Sequence, residues 1–180
     1  MGIFDIFKSK EPHYDSTNIR VQDLDVGFVF DYDLATWEVQ AIYEYDWGDD
    51  YFTREFKISD GSSTKYLGIE EDDELEITLS ERIKVRKLDE DLMETLMERQ
   101  QPPKKIVYDE ITYRLDAESP GYFHDIAKGD NWEEFRSWDF EDKSGKHILT
   151  IEQWGEKEFE ASIGITLKEF EISNILPASK

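Results

Sequence analysis

Two loops of this sequence place aromatic rings beside acids, a combination that can bind organic cations. The first loop runs from Trp47 to Tyr51 and the second from Gly129 to Trp132. An ammonium group is attracted both to carboxylates and to the face of an aromatic ring. The candidate ligand residues are Trp47, Asp49, Asp50, Asp130, Asn131 and Trp132. Gly-Asp and Asp-Asn are also ordinary turn residues, so hairpin turns whose rings cover the core are the simpler interpretation.

The remaining acids and the histidines lack the spacing of a metal site. A run of five acids at 70–74 has neither the alternating ligands nor the glycine of a calcium loop, and Asp31–Leu34 lacks them too. His13, His124 and His147 are not spaced for zinc. We therefore predict a solvated acidic loop at 70–74, with no metal site and no cofactor.

No catalytic motif can be recognised either. The chain has no Gly-x-Ser-x-Gly elbow and no glycine-rich phosphate loop. It also has no cysteine, which excludes thiol catalysis and disulfides and fits a reducing cytoplasm. Among 43 acids some pair will always lie at the separation that glycosidases use, so such a pair is uninformative. We predict a protein that is not an enzyme.

The charge of the chain restricts its partners. With 43 acidic and 21 basic residues the net charge is -22. Such a surface repels nucleic acid and anionic lipids and attracts metals, polyamines or a basic protein face. Solubility alone also explains a charge of this size.

The first twenty residues form a separate segment, an amphipathic leader followed by a polar linker. Ile3, Phe4 and Phe7 fall on one helical face, and Pro12 ends the pattern. This face can enter a bilayer interface or a partner groove, although a loose terminus is the simpler expectation. No signal peptide and no membrane-spanning apolar stretch is present, so we expect a cytoplasmic protein, with peripheral membrane contact as an alternative.

The elements that carry the loops are strands, and they occur twice. Residues 54–58 and 66–70 alternate between apolar and polar side chains, and residues 136–140 and 148–152 match them at an offset of 82. A helix with an apolar stripe is predicted between the copies. We predict a mainly β protein made of two related β-units, curved sheets or small barrels, from an internal duplication. The predicted divisions are 1–20, the leader; 21–87, the first unit; 88–103, the connecting helix; and 104–180, the second unit, with 21–180 as one compact domain.

Short motifs follow one another in a characteristic order. Leu24–Gly27 leads to Trp37–Val39 and a tyrosine-rich strand, and then to Phe56–Gly61 and Tyr66-Leu67. This order resembles the bacterial family called domain of unknown function 4178, over about residues 24–165. The resemblance implies no activity and no catalytic residues. It implies a genomic context of membrane-stress coat proteins, small membrane proteins and enzymes similar to those of polyamine synthesis.

Three functional hypotheses follow. The first is a cytoplasmic interaction module with a protein partner, linked to a membrane-stress system by the resemblance and acting through the leader and the acidic, aromatic surface. The second is a small-molecule binding domain for cationic ligands, polyamines first, because two aromatic and acidic loops occur in a chain of charge -22. The third is an enzyme of unrecognised type, which no motif supports.

Overall fold

Strands dominate the protein, as a computed structural model that describes residues 13–178 shows. Strands account for 56% of these residues and helices for 13%, which confirms the predicted mainly β class. The elements are β1 (Val29–Tyr32), β2 (Ala35–Asp46), β3 (Phe52–Ser59), β4 (Thr64–Glu71), β5 (Leu75–Ile83), α1 (Val85–Leu88), α2 (Leu92–Arg99), β6 (Lys105–Tyr108), β7 (Ile111–Asp125), β8 (Trp132–Glu141), β9 (His147–Gly155), β10 (Glu158–Leu167) and β11 (Ser173–Leu176). Three short 3₁₀ helices lie at Val21–Asp23, Ile126–Lys128 and Glu169–Glu171.

Eight strands close into a ring through antiparallel pairs. Their order is β2-β3-β4-β5-β10-β9-β8-β7, and Tyr43–Asp46 of β2 then pairs with Tyr122–Asp125 of β7. We call this closing pair the seam. β1 and β11 extend the sheet from β2, and β6 extends it from β7. Closure places strands that are four positions apart, such as β3 and β9, on opposite sides of the ring.

The outer face of the ring carries two separate apolar clusters. Successive side chains of a strand point to opposite faces, so one residue in two contributes to a cluster. In the first cluster Phe56 and Ile58 of β3 pack with Leu67 of β4. In the second, Leu149 and Ile151 of β9 pack with buried residues of β8 and of the helices. Each half of the ring therefore has its own hydrophobic core.

The predicted connecting helix is two short helices. The sequence predicted one helix within 88–103, but Asp89 has extended backbone angles (φ -163°, ψ 137°) that end α1 and separate it from α2. The apolar stripe nevertheless stays on one side, because Leu88, Leu92 and Leu96 all pack into the second cluster. Among residues 13–178 no helix has the length and apolarity needed to span a bilayer.

The two halves share a hairpin but not its register. Phe56 pairs with Leu67 in β3–β4, whereas Trp138 pairs with Ile151 in β8–β9. At the offset of 82, Phe56 matches Trp138 and Leu67 matches Leu149, so an identical register would pair Trp138 with Leu149. The register of the second hairpin is therefore shifted by two residues relative to the first. An even shift keeps the same side chains on each face. The internal duplication stays a prediction.

The carboxyl-terminal tail returns to the first half. β11 pairs with β1, and Leu167 and Ile172 belong to the first apolar cluster. At the other end, Tyr14 packs edge-on against Phe28, with ring centroids 5.3 Å apart. The leader residues Ile3, Phe4 and Phe7 lie outside the described residues.

Candidate functional site: an acidic cavity inside the ring

The inner face of the ring lines an open cavity of about 690 Å³. Most of the side chains that line it alternate along the strands with those of the apolar clusters, as Glu55 does with Phe56 and Thr150 does with Leu149; Ile69 and Phe140 belong to the clusters and also reach the cavity. A volume of this size is typical of small-molecule sites. The apolar clusters thus stabilise the outside of the ring and leave the inside for polar groups.

Acids dominate the lining of this cavity. Among the described residues, seven carboxyl groups line it, against a single guanidinium group, that of Arg54. The seven are Glu55, Glu70, Glu76, Asp116, Asp139, Glu141 and Glu152. Each additional carboxylate raises the free energy of ionising the next, because like charges repel in a partly dry space. The cavity is therefore an environment that favours a cation.

In the first half of the ring, Glu55 is a cavity acid with a raised pKa. It lies on β3 and accepts a hydrogen bond from the Tyr45 hydroxyl at 3.1 Å. Burial raises its pKa to about 7, and the Tyr45 hydrogen bond and the positive charge of Arg82 oppose the rise. At neutral pH this carboxyl consequently exists in both protonation states.

Glu152 faces it from the opposite side of the ring, on β9. Burial raises the pKa of Glu152 to about 8, and the charge of Glu55 is the next largest cause. The two carboxyls therefore interact electrostatically across the cavity, so their protonation is coupled. Asp139 on the neighbouring strand β8 also raises the pKa of Glu152.

Asp139 is held by hydroxyl groups. Thr150 donates to it at 2.9 Å and Ser137 at 3.1 Å. Burial is the largest influence and raises its pKa, while both hydrogen bonds lower it. These contacts fix the position of the carboxyl group without neutralising its charge.

Arg82 is the cation whose charge acts on both Glu55 and Glu152. Its guanidinium forms an ion pair with Glu160 and lies over the Tyr66 ring at 5.1 Å from the centroid. It lowers the pKa of both glutamates, yet both values remain high. Because one arginine interacts with several acids, the cavity keeps an excess of negative charge.

One end of the cavity is aromatic. Tyr45 and Trp47 stack with ring centroids 5.7 Å apart and an interplanar angle of 9°, and Phe135 packs against both. The indole nitrogen of Trp47 donates to the Thr53 hydroxyl at 3.0 Å, which fixes the ring. Beyond Phe135 lies Trp154, whose buried indole nitrogen has no hydrogen-bond partner in residues 13–178. Carboxylates and aromatic faces thus line the same space.

The two loops singled out from the sequence do not form one site. The antiparallel seam directs the 48–51 loop and the 129–131 loop towards opposite ends of its paired residues. Trp47 lines the cavity, whereas Trp132 lies on the outer face against His124, at 4.7 Å between ring centroids. Asp49, Asp50, Asp130 and Asn131 are all exposed, and the positive φ angles of Asp49 and Asp50 (53° and 61°) are those of a tight turn.

The outer face of the seam has its own features. His124 is buried, its Nε2 atom contacts the carbonyl of Gly129, and its Nδ1 atom lies 3.6 Å from Glu44. The Trp132 and Phe52 rings pack edge-on at 6.5 Å, and both remain substantially exposed. A second cavity of about 460 Å³ lies beside them, lined by Glu44, Phe52, Arg54, Phe56, Ile69, Glu71 and Gln22.

Sequence reasoning missed Glu55, Asp139 and Glu152 as site residues. Their only signal was that each is an acid alternating with buried apolar residues, a pattern that also describes an ordinary solvent-facing strand. Ring closure converts that polar face into the wall of a cavity. Within residues 13–178 no group of three or more histidine and acidic side chains has an arrangement that could hold a metal ion.

Comparison with known sequences identifies the family. The chain belongs to the family described as "Domain of unknown function (DUF4178)", whose sequence profile matches residues 25–169. An uncharacterized protein of Aquifex aeolicus (strain VF5) is 30% identical over 159 residues, which cover 87% of this chain and 85% of that protein. No solved structure matches the chain significantly. The predicted family resemblance is confirmed, and the matched region contains the whole ring.

Proposed function

We propose that this protein binds small organic cations, with polyamines as the first candidates, in the cavity inside the ring. The single observation that carries the proposal is the lining of seven carboxyls against one guanidinium. In an ammonium complex the carboxylates would supply charge, and Tyr45 and Trp47 would supply aromatic faces for the methylene chain or for cation–π contacts. In this role the protein is a binding protein rather than an enzyme.

The dimensions of the cavity favour an extended ligand over a single ion. A volume of about 690 Å³ lies in the range of sites that enclose small organic molecules. Acids from β3, β8 and β9 are distributed around the wall instead of converging on one point. A ligand with two or more ammonium groups can satisfy several of them at once.

Calorimetric titration with spermidine at moderate salt tests this proposal. We expect saturable binding to the full chain, and a loss of at least about tenfold in affinity on Asp139→Asn, because one charge-assisted contact is removed. Glu38→Gln is the matched control, since Glu38 is an exposed strand acid that does not line the cavity. The absence of saturable heat with the wild-type chain would reject the function.

The second candidate is a cytoplasmic interaction module with a protein partner, adjacent to a membrane-stress system. The observation that favours it is the exposure of Phe52, Tyr122 and Trp132 on the outer face near the seam, at 53%, 49% and 38%. Exposed aromatic groups of this kind are frequent in protein interfaces. In this hypothesis the leader residues Ile3, Phe4 and Phe7 add peripheral membrane or partner contact.

Three versions of the chain distinguish these surfaces. Cross-linking in host cells is compared for the full chain, for residues 13–180 and for the double variant Phe52→Ala/Trp132→Ala. A cross-linked partner that is lost only from the double variant assigns the interaction to the seam, and one lost only from the truncated chain assigns it to the leader. Identical patterns in all three would reject the module, and fractionation of the same cells reports its location.

A further inference from the structure

The cavity contains a pair of acids whose protons an incoming cation must replace. Glu55 and Glu152 lie on strands that are four positions apart in a ring of eight, so they approach one cavity from opposite walls. Both side chains are partly buried, and each lies within electrostatic range of the other. Two carboxylates placed in this way do not both ionise easily at neutral pH.

Their surroundings add little positive charge. The ionisable groups that act on the pair are Tyr43 and Tyr45 from β2, Arg82 from β5, Asp139 from β8 and Glu160 from β10. Glu70, Glu76, Asp116 and Glu141 are further acids that line the same cavity. Two arginines supply positive charge here, and both already have acidic partners: Arg82 is paired with Glu160, and Arg54, which lines the cavity, is paired with Glu44.

We propose that amine binding in this cavity is a cation exchange: Glu55 and Glu152 hold protons in the empty protein and release them to solvent when an ammonium group enters. The proposal rests on the proposed function. The ammonium ion keeps its own proton and forms charge-assisted hydrogen bonds with the carboxylates, while the displaced protons pass to water or buffer. No bond other than O–H is broken.

The pKa values give the number of protons that are available for release. With values of about 7 for Glu55 and about 8 for Glu152, the empty cavity at pH 7 holds between one and two protons on the pair. Protons compete with the amine for the carboxylates. For each proton that must be released, the apparent affinity therefore falls by about tenfold per pH unit below the carboxyl pKa. The amine itself stays protonated in this range, because alkyl ammonium groups titrate near pH 10. The protein would therefore bind amines at neutral or higher pH and release them on acidification.

The exchange is measured by spermidine calorimetry at pH 7 in phosphate and in Tris, whose ionisation enthalpies differ. We expect the observed heat to differ between the buffers by an amount that corresponds to about one released proton or more. A further titration at pH 6 should show at least tenfold weaker binding. Binding with the same heat in both buffers would overturn the exchange and leave the proposed function intact, whereas no binding in any buffer would overturn both.

A variant and a spectroscopic measurement locate the protons. Glu152→Gln should release fewer protons and show a flatter pH dependence of affinity, whereas Glu38→Gln should match the wild-type chain. Carbon-13 NMR of the glutamate carboxyls in the ligand-free chain should show two groups titrating near pH 7–8 that are absent or shifted in Glu152→Gln. If every carboxyl titrates below pH 5.5, the pair holds no proton at neutral pH and the inference is wrong.

Discussion

The two faces of the strand ring differ in chemistry although the same strands build both. The outer face carries Phe56, Leu67, Leu149 and Ile151, all of which are at most 1% exposed. The inner face carries acids, hydroxyl groups and a few rings around an open cavity. Apolar burial is the main favourable term in folding, so the outer clusters account for stability. Buried acids oppose it, so the inner face does not account for the stability of the fold.

The largest expected effect is a loss of stability caused by a substitution in the outer apolar clusters. Leu149→Ala should lower the free energy of unfolding by about 2–5 kcal/mol, because it removes buried methyl groups and leaves a cavity in the second cluster. Urea denaturation measures it. Leu34→Ala is the control, since Leu34 is fully exposed, and it should change stability by less than about 0.5 kcal/mol. Equal effects of the two substitutions would contradict the assignment of stability to the outer clusters.

An intermediate loss of stability is expected when a side chain is added to a glycine on the inner face, and two such glycines can be compared. A Cβ atom at Gly164 of β10 would collide with the backbone of Leu79 and lie 2.9 Å from the Ser80 Cα atom. A Cβ atom at Gly68 would instead meet the Thr78 hydroxyl at 2.5 Å, a side-chain group that can rotate away. Gly164→Ala should therefore destabilise the protein by about 1–3 kcal/mol, and Gly68→Ala by less. Thermal or urea unfolding measures the stability of both variants. A larger loss for Gly68→Ala than for Gly164→Ala would show that the close β5–β10 packing tolerates an added side chain.

The smallest expected effect is the pH dependence that the inner acids cause. Glu55 and Glu152 have folded-state pKa values above the ordinary glutamate value, so between about pH 4.5 and pH 8 the folded protein binds more protons than the unfolded chain. Their contribution is complete below pH 4.5 and is lost as the pH rises through 7–8. Stability should fall by roughly 1 kcal/mol per pH unit from pH 6 to pH 8, since both groups are partly exposed.

Glu152→Gln isolates this contribution. It should flatten the decline and be more stable than the wild-type chain at pH 8, while Glu38→Gln should follow the wild-type curve. Urea denaturation at several pH values measures all three proteins. The carboxyls whose pKa values are lowered, among them Asp60 and Asp142, change protonation only at acidic pH, so they do not affect the pH dependence of stability between pH 6 and pH 8. A rise in wild-type stability between pH 6 and pH 8 would show that the inner acids are ionised freely.

Much of the fold was predictable because strand periodicity is local. The alternation at 54–58, 66–70, 136–140 and 148–152 gave the faces of β3, β4, β8 and β9, and the structure contains those strands. The break at Asp89 was not predictable from the apolar stripe, which continues across it. The candidate site was mostly missed: of the residues selected from the loops, Trp47 alone lines the cavity. Aromatic–acid neighbours along the chain turned out to lie on different faces.

The sequence by itself determined the class of structure, the family and the acidic character, because alternation, motif order and charge are properties of neighbouring residues and of composition. The tertiary structure alone decided which polar face became a cavity. That outcome depends on four residue pairs at the seam that join β2 to β7 across about 80 residues of chain. Without this closure Glu55 and Glu152 would face solvent as ordinary surface acids; with it they line one cavity, where burial raises both pKa values and the charge of Glu55 raises that of Glu152 further.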